Sequence, residues 1–230
     1  MLEHLIDWDW QISHFLNGSS SLFADGVAMT ATATLTWMPA AVVLLYLIIH
    51  NNEMKNILLV LLGIGLCILF ADQIASGIFK PLVGRFRPTN DPELMGWVDI
   101  VNGYRGGRYG FFSSHAANTF AVATFVAMLV RNRMLTAYMV SWALLNCWTR
   151  VYLGVHYFGD VFVGTVCGII VGLLVYAALS RFLQRREAVV AQSRYDVQTV
   201  TGYAVADARA LAAVLMLTYI FVCFRALCFG

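Results

Sequence analysis

Arg150-Val-Tyr-Leu-Gly-Val-His156-Tyr-Phe-Gly-Asp160 leads directly into a long apolar segment, residues 160–182. The stretch sets a cation, an imidazole and a carboxylate within eleven positions of a chain that has five histidines and 12% charged residues. If the backbone is helical at Gly159, His156 and Asp160 form an i,i+4 pair whose side chains meet on one face. A carboxylate bonded to one ring nitrogen fixes the tautomer and leaves the other nitrogen free for chemistry. We therefore expect a functional site at the beginning of a membrane helix.

The composition identifies a membrane protein, because 60% of the 230 residues are hydrophobic. A membrane-crossing helix takes about twenty residues. The predicted fold is all-α, a polytopic membrane helical bundle of about six transmembrane helices plus a short N-terminal interfacial helix. We expect one membrane-embedded domain over residues 1–230, with its core motifs in residues 80–160. The predicted spans are residues 27–50, 56–79, 112–131, 134–153, 160–182 and 208–228.

The distribution of charge predicts the orientation of the spans. Basic residues outside the motifs concentrate in the connections between spans one and two, three and four, and five and six, which should therefore be cytoplasmic. The acidic N-terminal segment lacks the positive charge of a signal peptide, so we expect it to be retained and to lie outside. The connections 80–111 and 151–159 then also lie outside, although both carry or adjoin basic residues. Because these residues break the positive-inside rule, anion binding is the expected reason for their presence. The cytoplasmic basic residues are Lys55, Arg131, Arg133, Arg181, Arg185, Arg186, Arg194 and Arg209.

A basic motif, Lys80-Pro-Leu-Val-Gly-Arg85-Phe-Arg87-Pro88, ends the second span. Its three cations within eight residues, in a backbone stiffened by Pro81 and Pro88, form a candidate phosphate cradle, in which arginine offers a planar fork of donors and lysine a point charge. Contact of the same cations with lipid headgroups is the alternative.

A third motif, Gly110-Phe-Phe-Ser113-Ser114-His115-Ala-Ala-Asn118, begins the third span. Serines at a helix start either cap the helix or help its free amides to bind an anion. Capping does not explain His115, a titratable group at the mouth of an apolar span and a candidate general acid. A structural histidine is the alternative at both His115 and His156, but topology brings all three motifs to one membrane face.

Together, the three motifs resemble the signature of the type 2 phosphatidic acid phosphatase family, which is related to the vanadium haloperoxidases. Lys80, Arg87 and Pro88 match the first family motif in spacing. Ser113 and His115 match the second, and Arg150, His156 and Asp160 match the third. The sequence departs from the family pattern at Phe112, Ser114 and Thr149, and none of these changes removes a titratable group.

The resemblance implies metal-independent hydrolysis of a lipid phosphate or diphosphate, without a cofactor. His156 would be the nucleophile that forms a phosphohistidine, Asp160 would hold its imidazole, and His115 would be the general acid and base. Lys80, Arg87, Ser113, Ser114 and Arg150 would bind the phosphate.

The predicted substrate is a membrane lipid whose tails stay in the bilayer. Among the lipids that the resemblance implies, outer-facing chemistry and a compact chain typical of bacteria favour undecaprenyl diphosphate or lipid A, in a bacterial inner membrane with the active site facing the periplasm. Phosphatidylglycerophosphate and phosphatidate are alternatives, and a lipid or phosphate transporter that does not hydrolyse its cargo is an alternative of another class.

Residues 89–111 are expected to form the substrate entrance. Aromatic and basic side chains there either line a headgroup path or belong to an interfacial belt. Asp72 is expected to partner a site cation. Nothing in the sequence indicates nucleic-acid binding, an oligomeric state, or a role for residues 183–207. The candidate entrance residues are Trp97, Tyr104, Arg105, Arg108 and Tyr109.

Overall fold

The computed structural model describes residues 2–94, 96–183 and 197–228. Within these ranges the chain is helical, and its extended backbone forms isolated bridges rather than strands. Of the segment 183–207, residues 184–196 lie outside the described residues. The α-helices are α1 Leu2–Leu16, α2 Leu22–Thr32, α3 Met38–Asn51, α4 Met54–Asp72, α5 Lys80–Val83, α6 Ser114–Val130, α7 Arg133–Tyr152, α8 Phe158–Ser180 and α9 Val205–Leu227.

Helices cover each of the six predicted spans. The first span is α2 and α3 joined by a 3-10 turn, Thr34–Trp37, and the second is α4 and α5 joined by a π-helix, Gln73–Phe79. Among the described residues, four helical segments are long and apolar enough to cross a membrane: Thr34–Asn51, Met54–Val83, Phe158–Ser180 and Val205–Leu227. The predicted all-α polytopic membrane bundle is thus confirmed. The predicted N-terminal helix is α1.

Helix α6 forms the centre of the bundle, and α8 packs closely along it because of a stripe of glycines. A methyl group on Gly168 would lie only 2.3 Å from a backbone oxygen of α6, and Gly164 and Gly172 leave as little room. Small residues four apart let two membrane helices approach closely. This contact fixes the start of α8 against the start of α6.

The end of the bundle that carries residues 50–56 is tied by polar contacts between α3 and α9. His50 Nδ1 lies 2.7 Å from Asp207 Oδ2, and the Asn51 amide donates to the same oxygen at 2.7 Å. The predicted motifs lie at the opposite end, at the C-termini of α5 and α7 and the N-termini of α6 and α8.

Candidate active site

His156 and Asp160 meet at the start of α8, in a geometry that differs from the predicted helical pair. His156 lies before the helix, because Tyr157 is extended and serves as its N-cap. Asp160 is in the first turn, where its Oδ2 turns back and accepts from the Tyr157 amide at 3.2 Å. The same oxygen lies 3.5 Å from His156 Nδ1, which is long for a hydrogen bond. Asp160 therefore faces Nδ1 and leaves Nε2 available.

Burial keeps His156 neutral. The side chain is 1% exposed, and this burial lowers its pKa to about 4 although Asp160 acts in the opposite direction. The positive charges of Arg87 and Arg150 lower the pKa further. At neutral pH the imidazole thus has the lone pair that a nucleophile needs.

Arg150, in the last turn of α7, is a buried cation with a free donor. Its side chain donates through Nε to Thr149 Oγ1 at 3.4 Å and through Nη1 to the Tyr104 hydroxyl at 3.3 Å. Its Nη2 has no partner among the described residues, although the residue is only 2% exposed. Because an unpaired buried guanidinium nitrogen is costly, this donor requires an acceptor.

Lys80 is held in place by two hydroxyls. Its Nζ donates to Ser76 Oγ at 2.8 Å and to Ser114 Oγ at 3.2 Å. The Ser76 hydroxyl donates in turn to Asp72 Oδ1 at 3.1 Å. The expected cation partner of Asp72 is therefore Lys80, reached through Ser76. The π-helix that carries Ser76 is a form found often at functional sites.

Arg87 lies under the loop that leads to α6. Its Nε donates to the Tyr109 carbonyl at 3.0 Å and its Nη1 to the Val155 carbonyl at 3.3 Å. Burial and the nearby Arg150 charge lower the pKa of Arg87. A methyl group on Gly106 would lie 2.2 Å from Nη1, so a larger residue there would displace this guanidinium from its present position. Arg87 and Arg150 both act on His156 and repel each other, so an anion bound between them would be stabilised.

The predicted residues at the start of α6 take different positions. Ser113 is buried, and its hydroxyl caps the helix by accepting from the Ala116 amide at 3.4 Å, while Ser114 holds Lys80. His115 is exposed and within electrostatic range of His156, Arg150, Arg87 and Lys80. An exposed imidazole beside a buried one suits proton transfer to a bound substrate.

Of the predicted entrance residues, Tyr104 contacts a predicted phosphate-binding residue, because its hydroxyl accepts from Arg150 Nη1. Arg105 donates to the Thr89 carbonyl, and Arg108 lies over the Phe86 and Tyr109 rings at 5.2 and 5.4 Å. Trp97 is 66% exposed. Direct headgroup contact by Trp97, Arg105 and Arg108 stays a prediction.

Arg85 differs from its predicted place in the phosphate cradle. Its Nη1 donates to Asp160 Oδ1 at 2.9 Å and its Nη2 to Asp9 Oδ2 at 2.7 Å. Its guanidinium carbon also lies 3.8 Å from the centre of the Tyr157 ring. The sequence prediction placed all three cations of the motif in the phosphate cradle. It did not find these ion pairs, because the sequence does not indicate which cation has carboxylate partners. The interpretation of the sequence missed Asp9, which no local motif marks.

An apolar groove opens beside this ion-pair cluster, between α1, the end of α5 and the start of α8. Its volume is about 880 Å³, and Asp9, Arg85 and Gly159 form part of its wall. Its polar edge lies next to Asp160, because Arg85 in the groove wall is paired with that carboxylate. Its apolar lining comes from Ile6, Trp8, Ile12, Val83, Phe111, Phe158, Phe162 and Val163.

Comparison with known sequences agrees with the motifs. The sequence model of the PAP2 superfamily matches residues 57–184. The chain is 43% identical over 178 residues to the lipid A 4′-phosphatase of Bacteroides thetaiotaomicron, which covers 76% of this chain and 79% of that protein. It is 33% identical over 175 residues to the lipid A 4′-phosphatase of Porphyromonas gingivalis, with 76% and 74% covered.

Two solved structures have a similar fold. A transmembrane PAP2-type phosphatidylglycerolphosphate phosphatase from Bacillus subtilis aligns with a TM-score of 0.59 at 22% identity, over 80% of this chain and 89% of that chain. LpxE from Aquifex aeolicus aligns with a TM-score of 0.54 at 23% identity, over 73% and 94%.

Proposed function

Because the chain belongs to the PAP2 superfamily, we propose that it is a lipid A phosphatase that removes the 4′-phosphate at the outer face of the inner membrane. It is a lipid phosphatase and a hydrolase. One observation carries the assignment of the phosphate site: Arg150 Nη2 is buried and has no partner among the described residues, and the Arg150 charge is near enough to lower the pKa of His156. The 4′-position is proposed from the two relatives that carry that activity in their names.

The first chemical step is attack of His156 Nε2 on phosphorus. The N–P bond forms while the bond from phosphorus to the sugar oxygen breaks, and His115 gives its proton to the leaving oxygen. The imidazole becomes cationic, with a proton on Nδ1 that faces the Asp160 carboxylate at 3.5 Å. Arg150, Arg87 and Lys80, with the first amides of α6, stabilise the charge on the phosphoryl oxygens.

The second step is hydrolysis of the phosphohistidine. A water attacks phosphorus, His115 takes its proton, and the N–P bond breaks to regenerate neutral His156 and release inorganic phosphate. Burial favours this return, because it lowers the pKa of the free imidazole. The three cations neutralise the transferred group, so we propose that no metal ion is required.

The apolar groove beside Asp160 supports a substrate that keeps its tails in the bilayer. Its volume of about 880 Å³ and its lining by apolar side chains of α1 and α8 suit acyl chains. The basic residues at the opposite end of the bundle, including Lys55 and Arg133, support a periplasmic site. Labelling of a cysteine placed at Asn102, in a variant without other cysteines, by an impermeant reagent in intact spheroplasts tests this orientation.

Phosphate release from a panel of lipids in detergent with a metal chelator tests the function. The panel contains lipid A with a 4′-phosphate, undecaprenyl diphosphate, phosphatidylglycerophosphate and phosphatidate. We expect the highest kcat/KM for lipid A, and loss of product 4′-phosphate by mass spectrometry. His156→Ala should lower turnover by at least about 100-fold, whereas His4→Ala, on the exposed face of α1, is the matched control.

Each outcome discriminates between the alternatives. A higher kcat/KM for another lipid on the panel would replace lipid A as the substrate. Lipid binding without phosphate release would favour the transporter. Activity that the chelator abolishes and zinc or magnesium restores would contradict the metal-independent mechanism.

A further inference from the structure

Helix α1 lies outside the segment that matches the family, residues 57–184, yet it contacts the start of α8 directly. Asp9 Oδ1 accepts from the Gly159 amide at 2.6 Å. Ser13 Oγ accepts from the Phe158 amide at 2.8 Å. Two of the amides that a helix start leaves without an intrahelical acceptor are therefore capped by α1. These contacts place the side chains of α1 next to the residue pair on which the chemistry depends.

Asp9 also reaches the catalytic pair through Arg85. The Arg85 guanidinium joins Asp9 Oδ2 at 2.7 Å to Asp160 Oδ1 at 2.9 Å, and the other Asp160 oxygen faces His156. Asp160 is fully buried, and the side chains of Asp9 and Arg85 are 14% and 29% exposed. Hydrogen bonds between charged groups are stronger than those between neutral groups, and Arg85 uses a separate nitrogen for each carboxylate, so it fixes Asp160 relative to Asp9.

We propose that Asp9 is a positioning residue, which acts through Arg85 to orient Asp160 and to balance the charge beside His156; this inference rests on the proposed function. With Asp9 in place, Arg85 shares its charge between two carboxylates. Without it, the whole guanidinium charge acts on Asp160 and weakens the ability of this carboxylate to stabilise the imidazolium formed in the first step. The loss should affect turnover more than substrate binding, because Asp9 makes no hydrogen bond to Lys80, Arg87 or Arg150. Asparagine has the same shape as aspartate, so it leaves the groove wall that residue 9 helps to form unchanged.

The substitution Asp9→Asn separates the charge of Asp9 from its capping role. An asparagine retains an oxygen that can accept from the Gly159 amide, but it loses the ion pair with Arg85. We expect kcat to fall about 10-fold with KM within about 2-fold of wild type, because a misplaced positioning group costs one to two orders of magnitude. Ser13→Ala is the matched control: it removes the other cap from the same helix, so it should lower the melting temperature but leave kcat within about 2-fold.

A double-mutant cycle with Arg85→Gln tests the route of the effect. If Asp9 acts through Arg85, the double variant should have the kcat of Arg85→Gln alone. If Asp9 only docks α1, Asp9→Asn should leave kcat unchanged. The proposal would be overturned if Asp9→Asn lowered kcat by the same factor in the wild type and in the Arg85→Gln variant. A kcat for Asp9→Asn within about 2-fold of wild type would overturn it as well.

Orthovanadate binding separates failure of this inference from failure of the proposed function. Vanadate bonded to a nucleophilic imidazole is five-coordinate and so resembles the transition state rather than the bound substrate. We therefore expect Asp9→Asn to weaken its binding about 10-fold in isothermal titration, in proportion to kcat, with Ser13→Ala unchanged. A wild-type protein that hydrolyses no lipid on the panel would refute the function. In that case, equal vanadate affinity in wild type and Asp9→Asn would refute the role of Asp9 as well.

Discussion

Alanine at Gly164 tests whether the close packing of α8 on α6 places the catalytic groups. The new methyl group would lie 2.5 Å from the Ser113 carbonyl oxygen, and ordinary contact begins at 3.4 Å, so the two helices must separate by about 0.9 Å. Overpacking of this kind costs about 1–3 kcal/mol. The Ser113 amide donates to the Asp160 carbonyl at 3.0 Å. Separation of the two helices therefore stretches this contact and displaces Asp160 relative to the start of α6. Since a displacement of about 1 Å can cost about 100-fold in rate, we expect kcat to fall 10- to 100-fold.

Two other glycines separate this effect from general destabilisation. Gly172→Ala creates a similar clash, 2.6 Å from the Ala121 oxygen, about 12 Å further along α8. Gly65→Ala meets nothing within 4 Å. Differential scanning fluorimetry in detergent should show similar losses of melting temperature for Gly164→Ala and Gly172→Ala and none for Gly65→Ala, while kcat should fall steeply only for Gly164→Ala. Equal kcat losses at Gly164 and Gly172 would refute the argument that this contact positions the site.

Three further predictions concern the charge, the groove and the nucleophile. Tyr104→Phe removes the partner of Arg150 Nη1. Because a hydrogen bond to a charged group contributes about 1.5–3 kcal/mol, kcat/KM in the lipid assay should fall at least about 10-fold. An unchanged kcat/KM would contradict a role for this hydrogen bond. Val163→Trp fills the groove and should raise KM for long-chain lipids but not for a short-chain phosphate, whereas Val166→Trp, exposed on the same helix, should change neither. The folded pKa of His156, about 4, lies below its unfolded value near 6.5, so its contribution to stability is complete above pH 6.5 and is lost as pH falls towards 4. Chemical denaturation of wild type and His156→Gln at pH 7 and 5 should therefore show a larger acid loss in wild type, and equal losses would refute the neutral buried state.

The sequence was sufficient to predict the membrane helices and which helix ends converge. The thickness of the bilayer sets the length of each apolar run, so the runs identify the spans. Because successive spans cross the membrane in opposite directions, each connection can then be assigned to one face. The local backbone conformation was harder to predict from the sequence. His156 and Asp160 were expected on one helix face, but the chain enters α8 through an extended Tyr157, and the carboxylate reaches back as a first-turn acceptor. Both geometries bring residues i and i+4 together, so spacing alone does not distinguish them.

The partners of the cations were not predictable for a different reason. Arg85 and Arg87 are two positions apart in one basic motif, yet one pairs with two carboxylates and the other with backbone carbonyls. Asp9 lies 76 positions from Arg85 in the chain. No periodicity links residues at such a separation, because their contact depends on how α1 docks against the assembled bundle.

The charge of the site also bears on how the enzyme would distinguish its substrate from its product. Arg87, Arg150 and Lys80 make no ion pair within the described residues, and the Arg150 charge lowers the pKa of Arg87. An anion relieves this repulsion whether it is a lipid phosphate or inorganic phosphate, so the cations alone discriminate weakly between the two. Affinity for the lipid over the product must come from the tails, for which the groove beside Asp9 offers about 880 Å³. Inorganic phosphate should accordingly inhibit competitively, and Val163→Trp should raise KM for the lipid while leaving the phosphate inhibition constant unchanged.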